Sequence, residues 1–291
     1  MIWEVVNNHK CALGEGPVWD HDKNRILWVD ILEGEIHQFY PESRLHHVYK
    51  TGQKTGAIAL KKSGGIIAAL ENGFYEIDID NQLQNLIYNP EEHLPDNRFN
   101  DGKCDPAGRF WAGTMAMNDM PGAGKLYVLE KDLSVATKIE HVGCSNGLAW
   151  SLDQKIFYYI DTLTQNVITY NFDISTGHIA NPKIAVQIPK NEGYPDGMTI
   201  DSEGMLWIAV WNGWKVVRFN PLTGQKISEI SLPAAQITSC TFGGKDLTDL
   251  YITSAKTGLT PEQLKKQPYA GSLFVVKNSG YQGLKTHQFL G

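Results

Sequence analysis

The sequence predicts an all-β protein, a six-bladed β-propeller of four-stranded antiparallel sheets. Three observations predict it. One pattern recurs six times, as GEGPVWDHDKNRILWVD from Gly14, TGAIALKKSGGIIAAL from Thr55, NDGKCDPAGRFWAGTM from Asn100, SNGLAWSLDQKIFYYID from Ser145, PDGMTIDSEGMLWIAV from Pro195 and TSCTFGGKDLTDLYITS from Thr238. The copies follow one another at the spacing of about 40 to 50 residues that a propeller blade occupies. Within each copy, short β-branched and aromatic runs are bounded by Asp, Asn, Gly and Ser, as strands joined by tight turns require.

The elements follow in order. Residues 2–6 alternate like a strand and precede the first repeat without a partner of their own. In blade one, Ile26, Trp28 and Asp30 alternate with Leu27 and Val29, Leu32-Glu33-Gly34 turns the chain back, and Pro41-Glu42-Ser43 ends the returning strand. Blade two is the most degenerate copy, with Gly64-Gly65 in its turn and no polar residue matching Glu15. Blades three and five carry the turn tetrads Asp105-Pro106-Ala107-Gly108 and Asp201-Ser202-Glu203-Gly204 between their first and second strands. Blade four has strands at 156–160 and 167–170, with turns near Gln165 and Thr176. Blade six, from Ser239 to Val276, is short of its outermost strand. Free sheet edges invite pairing with other chains, so the ring must close. Residues 2–6 are expected to supply that strand and to make 1–291 one domain; the tail Leu284–Gly291 is the alternative. Pro261–Lys266 is the expected helical turn, capped by Thr260.

A net charge of −6 from 32 acidic and 26 basic side chains gives no field to hold a polyanion, which excludes nucleic acid as a partner. No apolar run reaches the roughly 20 residues that cross a bilayer, and the start of the chain lacks the basic and apolar segments of a leader. Cys11, Cys104, Cys144 and Cys240 form no CxxC pair and are expected to be free thiols, which points to a cytoplasmic protein, as a monomer or weak homodimer.

Aligned on their first strands, the blades place Glu15, Asn100 or Asp101, Asn146 and Asp196 at nearly equivalent points. A propeller gathers equivalent positions around one axis. Glu15, Asn146 and Asp196 then make an oxygen-only site for one divalent cation, Ca²⁺ foremost, with Mg²⁺, Mn²⁺ and Zn²⁺ also suited to such donors. The competing reading is that Asn100-Asp101-Gly102, Asn146-Gly147 and Asp196-Gly197 are bends. That reading explains the glycines but not a polar residue ahead of them in four blades. Nearby, Arg98 offers a fixed fork of donors to a polyol or carboxylate. Asn118 and Asp119 fall in a long stretch that reads as a top-face loop, and Tyr194, Trp211, Asn212 and Trp214 are candidate walls for a sugar. His9, His37, His46, His47, His93, His178 and His287 show no metal-ligand spacing. GxSxG, HExxH and P-loop motifs are absent, as is a complete GxGxxG fingerprint before a helix.

Long ordered blocks, among them GEGPVWD, DNRFNDGKCDPAGRFWAGTM from Asp96, PDGMTIDSEGMLWIAVWNG and QPYAGSLF from Gln267, carry a resemblance over nearly the whole chain. The sequence resembles the gluconolactonase and regucalcin family, also called senescence marker protein 30, which includes the firefly luciferin-regenerating enzyme. The resemblance implies a six-bladed propeller with one divalent ion on its axis, held by Glu15, Asn146 and Asp196. It also implies that Arg98 and Asn100 contact a lactone, and it sets Asn118 where vertebrate members carry a substrate-contacting glutamate. The loop from Asn118 to Lys125 is shorter than in those members. The implied reaction is hydrolysis of a sugar lactone, such as glucono-1,5-lactone, to its aldonic acid, with Asp196 as the catalytic base. Two other functions stand beside it: a calcium-binding regulator without chemistry, and a propeller scaffold for another protein.

Overall fold

The computed structural model describes residues 2–118 and 120–291; Asp119 of the expected top-face loop lies outside them. Strand β1 (Glu4–Val5) precedes blade one, which is β2 (Gly14–Asp20), β3 (Arg25–Asp30), β4 (Glu35–Tyr40) and β5 (Leu45–Lys50). Blade two is β6 (Thr55–Leu60), β7 (Ile66–Leu70), β8 (Gly73–Asp78) and β9 (Leu83–Tyr88). Blade three is β10 (Asn97–Cys104), β11 (Phe110–Ala116), β12 (Gly124–Leu129) and β13 (Val135–Val142). Blade four is β14 (Ser145–Trp150), β15 (Ile156–Asp161), β16 (Asn166–Asp173) and β17 (His178–Gln187). Blade five is β18 (Tyr194–Ile200), β19 (Leu206–Trp211), β20 (Lys215–Phe219) and β21 (Lys226–Ser231). Blade six is β22 (Ile237–Gly243), β23 (Asp249–Ser254) and β24 (Phe274–Val276), and β1 adds its fourth strand by pairing antiparallel with β24. Blades one to five are simple antiparallel meanders and blade six is a three-strand meander completed by β1, so the chain forms a six-bladed β-propeller of four-stranded sheets.

Local chemistry fixes the blades. In blade five the Asp201 carboxylate accepts from the backbone N–H groups of Glu203 and Met205, from Trp207 Nε1 and from Arg218 Nε, at 2.8 to 3.0 Å. Asp105 repeats the device in blade three, with Ala107, Arg109 and Trp111 as donors. One buried carboxylate thus closes the turn between the first two strands and anchors the indole that fills the space between blades. Aromatic and β-branched side chains form that filling: Trp111, Trp150 and Phe157 meet between blades three and four, and Phe74, Phe99 and Phe110 between blades two and three. Each fully buried ring contributes about 1.5–3 kcal/mol of apolar burial.

The six inner strands β2, β6, β10, β14, β18 and β22 pack side by side in a closed ring. All six break register near their start, between Glu15 and Val18, Thr55 and Ala57, Phe99 and Asp101, Asn146 and Leu148, Pro195 and Met198, and Ile237 and Ser239. A bulge bends a strand and re-aims its side chains; six of them turn one end of every inner strand toward the axis. The tail does not complete blade six. It crosses the opposite end of the ring, where Thr286 Oγ1 donates to Trp19 O, Phe289 N to Leu60 O and Leu290 N to Gly108 O. There it covers the far mouth of the axial channel, leaving a chamber of about 90 Å³ lined in part by Asp101, Lys103 and His287. The capping box on Pro261–Lys266 is present, with Thr260 accepting from Gln263 N.

Candidate functional site

Glu15, Arg98, Asn100, Asn146 and Asp196 come from four different inner strands, and all five line one cavity of about 350 Å³ at the bulged end of the ring. Their side chains are nearly or fully buried. Asp196 shares this lining with Glu15 and Asn146. Met115, Cys144, Thr162 and Leu163 complete one wall, and Tyr194 and Trp211 another.

The bends proposed for the Asx-Gly steps do not occur: Asn100, Asn146 and Asp196 each sit inside a strand. The glycines that follow serve close approach instead. A Cβ on Gly147 would stand 2.8 Å from the Asp196 carbonyl oxygen, and one on Gly197 would overlap the side chain of Ser239. Adjacent inner strands thus press together where the polar side chains emerge.

The orientation of Asn146 follows from its neighbours. Thr162 Oγ1 donates its only proton to Pro195 O at 2.8 Å, so it can only accept from Asn146 Nδ2, at 2.9 Å. Asn146 Oδ1 is left buried with no hydrogen-bond partner. A buried acceptor without a donor costs about 1–3 kcal/mol, so it is a position that calls for a cation. Burial, followed by the charges of Asp196 and Asp101, pushes the Glu15 carboxyl well above the usual carboxylate range. Burial, followed by the charge of Asp101, does the same to Asp196. A divalent ion offsets both effects. Two carboxylates and an amide oxygen are the hard donors that Ca²⁺, Mg²⁺ and Mn²⁺ prefer, so the residues present fit such an ion.

Among the described residues Arg98 pairs with no carboxylate. It uses NH1 to donate to Phe99 O at 2.9 Å and to Asn100 Oδ1 at 2.7 Å, and Asn100 Nδ2 donates to Ser145 O at 2.8 Å. The rest of the guanidinium edge is therefore available to a ligand. Of the alternatives at the blade-three position, Asn100 faces this cavity and Asp101 the chamber at the far end. Asn118 is not brought into the site: it is exposed, its Oδ1 accepts from Met120 N at 3.2 Å, and it does not line the cavity. Asn212 and Trp214 also lie outside the lining.

Thr162 carried no signal in the sequence, because its role exists only once β14 and β18 are neighbours. A second omission was more readable. Among the described residues, His9, Cys11 and His37 bring potential metal-binding atoms within 4.8 Å of one another, as do His9, Asp30 and Glu35. His9-x-Cys11 and Glu35-x-His37 are period-two pairs, which in extended chain share a face; the long gap between the pairs hid the cluster. No helix among the described residues is long and apolar enough to cross a membrane.

Comparison with known proteins identifies the family. The family model described as "SMP-30/Gluconolactonase/LRE-like region" matches residues 13–256. The chain is 39% identical to regucalcin of Oryctolagus cuniculus, over 99% of this chain and 98% of that one. It is also 39% identical to a Bacillus subtilis (strain 168) protein provisionally named a sugar lactone lactonase, over 94% of each. Among solved structures, luciferin-regenerating enzyme superposes with a TM-score of 0.94 at 33% identity, covering 99% of both chains. A calcium-binding protein, regucalcin, from Agrobacterium tumefaciens superposes with a TM-score of 0.94 at 27% identity, covering 98% of this chain and 96% of that one. The chain belongs to the SMP-30/gluconolactonase/LRE-like family.

Proposed function

We propose that this protein hydrolyses a sugar lactone of the aldonolactone class to its aldonic acid, using one divalent cation held by Glu15, Asn146 and Asp196. The observation that carries the reading is the partnerless Asn146 Oδ1 beside two buried carboxylates, in a cavity that also presents the open edge of Arg98. A cation bound there would supply Lewis acidity toward the lactone carbonyl.

The chain's own groups do the rest. Arg98 and Asn100 hold sugar oxygens, and their mutual hydrogen bond keeps both donor sets pre-aligned. Tyr194 and Trp211 cover the apolar faces of the ring. Asp196 orients a water against the carbonyl carbon and takes its proton. The new C–O bond forms from that water, the ring C–O bond breaks, and Asp196 returns the proton to the departing ring oxygen, so no group is left changed.

Calcium is the ion we favour, because every donor is oxygen and the cavity leaves room for water and substrate oxygens. Relatives bearing lactonase and calcium-binding names support a cation and leave the choice between chemistry and binding to experiment. The test is proton release from glucono-1,5-lactone in a pH-stat, after chelation and after add-back of Ca²⁺, Mg²⁺, Mn²⁺ or Zn²⁺. Glu15→Gln and Asp196→Asn are expected to abolish turnover while leaving the β-sheet circular dichroism intact. Turnover that survives chelation or either substitution sinks the proposal; tight Ca²⁺ binding with no turnover of any aldonolactone turns the protein into a cation binder.

A further inference from the structure

The seam where the ring closes carries a second set of donors, different in chemistry from the axial one. Residues 7–13 link β1, on the outer edge of blade six, to β2, on the inner edge of blade one. His9 and Cys11 lie on that link, while Glu35 and His37 lie on β4 of blade one. His9 Nε2 is buried and makes no hydrogen bond. It stands 3.9 Å from Glu35 Oε2, which is 3.4 Å from His37 Nε2, which is 3.9 Å from Cys11 Sγ. Four ligands around a tetrahedral zinc, at about 2.0–2.3 Å from the ion, are separated by about 3.3–3.7 Å. These three separations exceed that spacing by at most a few tenths of an ångström, and His9, Cys11 and His37 offer ligand atoms that all lie within 4.8 Å of one another.

The surroundings hold these donors in the right state. His37 Nδ1 pairs with His46 Nε2 at 3.0 Å; with its Nδ1–H donated there, the Nε2 lone pair faces the cluster. Trp28 Nε1 donates to Cys11 Sγ at 3.3 Å. Lys50 Nζ is 3.3 Å from Glu35 Oε1, leaving Oε2 to the cluster. Such outer partners orient metal ligands and are worth 10–100-fold in affinity. Asp30 is committed elsewhere, accepting from Ala12 N and Leu13 N and thereby pinning the link against blade one. His9 is one-third exposed, which gives an ion a route in from solvent.

We propose that His9, Cys11, Glu35 and His37 form a second metal site, selective for zinc-like ions and independent of the axial one. Two imidazole nitrogens, a thiolate and a single carboxylate oxygen suit Zn²⁺ or Co²⁺ and not Ca²⁺. Binding exchanges the Cys11 S–H proton for a sulfur–metal bond and releases that proton to solvent. The ion joins the N-terminal link to β4 and so staples the seam through which β1 closes the ring.

The test uses chelator-stripped full-length protein titrated with Co²⁺. The expected result is one equivalent giving a thiolate-to-cobalt charge-transfer band and tetrahedral visible absorption, with about one proton released, and Zn²⁺ erasing both bands. His9→Gln, on the partly exposed link, is expected to fold and to weaken Co²⁺ by tenfold or more; Cys11→Ser is expected to remove the charge-transfer band. Glu15→Gln should leave the bands unchanged, because Glu15 is not among the four ligands of the second site and the three proposed axial donors are all oxygens. Absence of the charge-transfer band in the wild type, or a band equally strong in His9→Gln, overturns the site.

Discussion

Thr162→Val removes one hydroxyl and almost no volume, yet it is expected to weaken the axial cation site from outside it. The hydroxyl donates to Pro195 O and accepts from Asn146 Nδ2 at 2.9 Å, so it is the stronger of the two contacts that orient the Asn146 amide, the other being the weak acceptor Cys144 Sγ at 3.8 Å. Without it the amide gains little from aiming Oδ1 inward, and the flipped form presents an NH₂ to the cation. Loss of such an orienting partner costs about 10–100-fold in metal affinity, or about 1.4–2.7 kcal/mol. The ion-free protein is also expected to lose about 1–3 kcal/mol, because Pro195 O is left without a donor. The two effects separate in one experiment: urea unfolding with and without Ca²⁺, alongside calorimetric titration. At 1,000 times the wild-type Kd, Ca²⁺ adds about 4.1 kcal/mol to the wild type; a 100-fold weaker variant gains about 1.4 kcal/mol at the same concentration. Thr162→Ser keeps the hydroxyl and is expected to match the wild type. Equal Ca²⁺ affinity in Thr162→Val and wild type would refute the assignment of the amide and, with it, of Asn146 Oδ1 as a ligand.

Asp201→Ala strips Arg218 Nε and Trp207 Nε1 of their buried acceptor, while Glu203 still holds Arg218 NH2; urea unfolding should show a loss of about 3 kcal/mol, and a loss under 1 kcal/mol would contradict the turn-closing role. Gly197→Ala forces a methyl into the side chain of Ser239 between two inner strands that cannot part, and the same measurement should show at least the upper part of the range of about 1–3 kcal/mol for overpacking. Asp132, Asp153 and Asp173 each accept from a serine hydroxyl and a backbone N–H at exposed turns, which holds them below the usual carboxylate range. A depressed folded pKa stabilises above the unfolded value of about 4 and is lost as pH falls below it. Replacing all three by Asn should therefore flatten the acid limb of the stability profile below about pH 4, and an unchanged slope there would show that these turns do not contribute.

The repeat made the propeller legible because it is local and periodic. GEGPVWD, SNGLAW and PDGMTID each announce an inner strand, and the turn aspartates Asp105 and Asp201 announce where it reverses. The same register singled out Glu15, Asn100 or Asp101, Asn146 and Asp196, of which Glu15, Asn100, Asn146 and Asp196 line one cavity. Asn118 does not line that cavity and accepts from Met120 N within its own turn, because position along the chain says nothing of whether a loop side chain points inward.

The amino-acid sequence alone determined six blades, their strand order and the polar residue at the head of four inner strands, because pairing within a meander depends on neighbours a few residues away. Only the tertiary structure decided that Asn100 rather than Asp101 meets the others, that Thr162 aims the Asn146 amide, and that His9 and Cys11 reach Glu35 and His37. Those outcomes depend on how bulged strands from different blades press against one another and on where the closing link is pinned. Such contacts join residues far apart in the chain, and no local pattern encodes their direction.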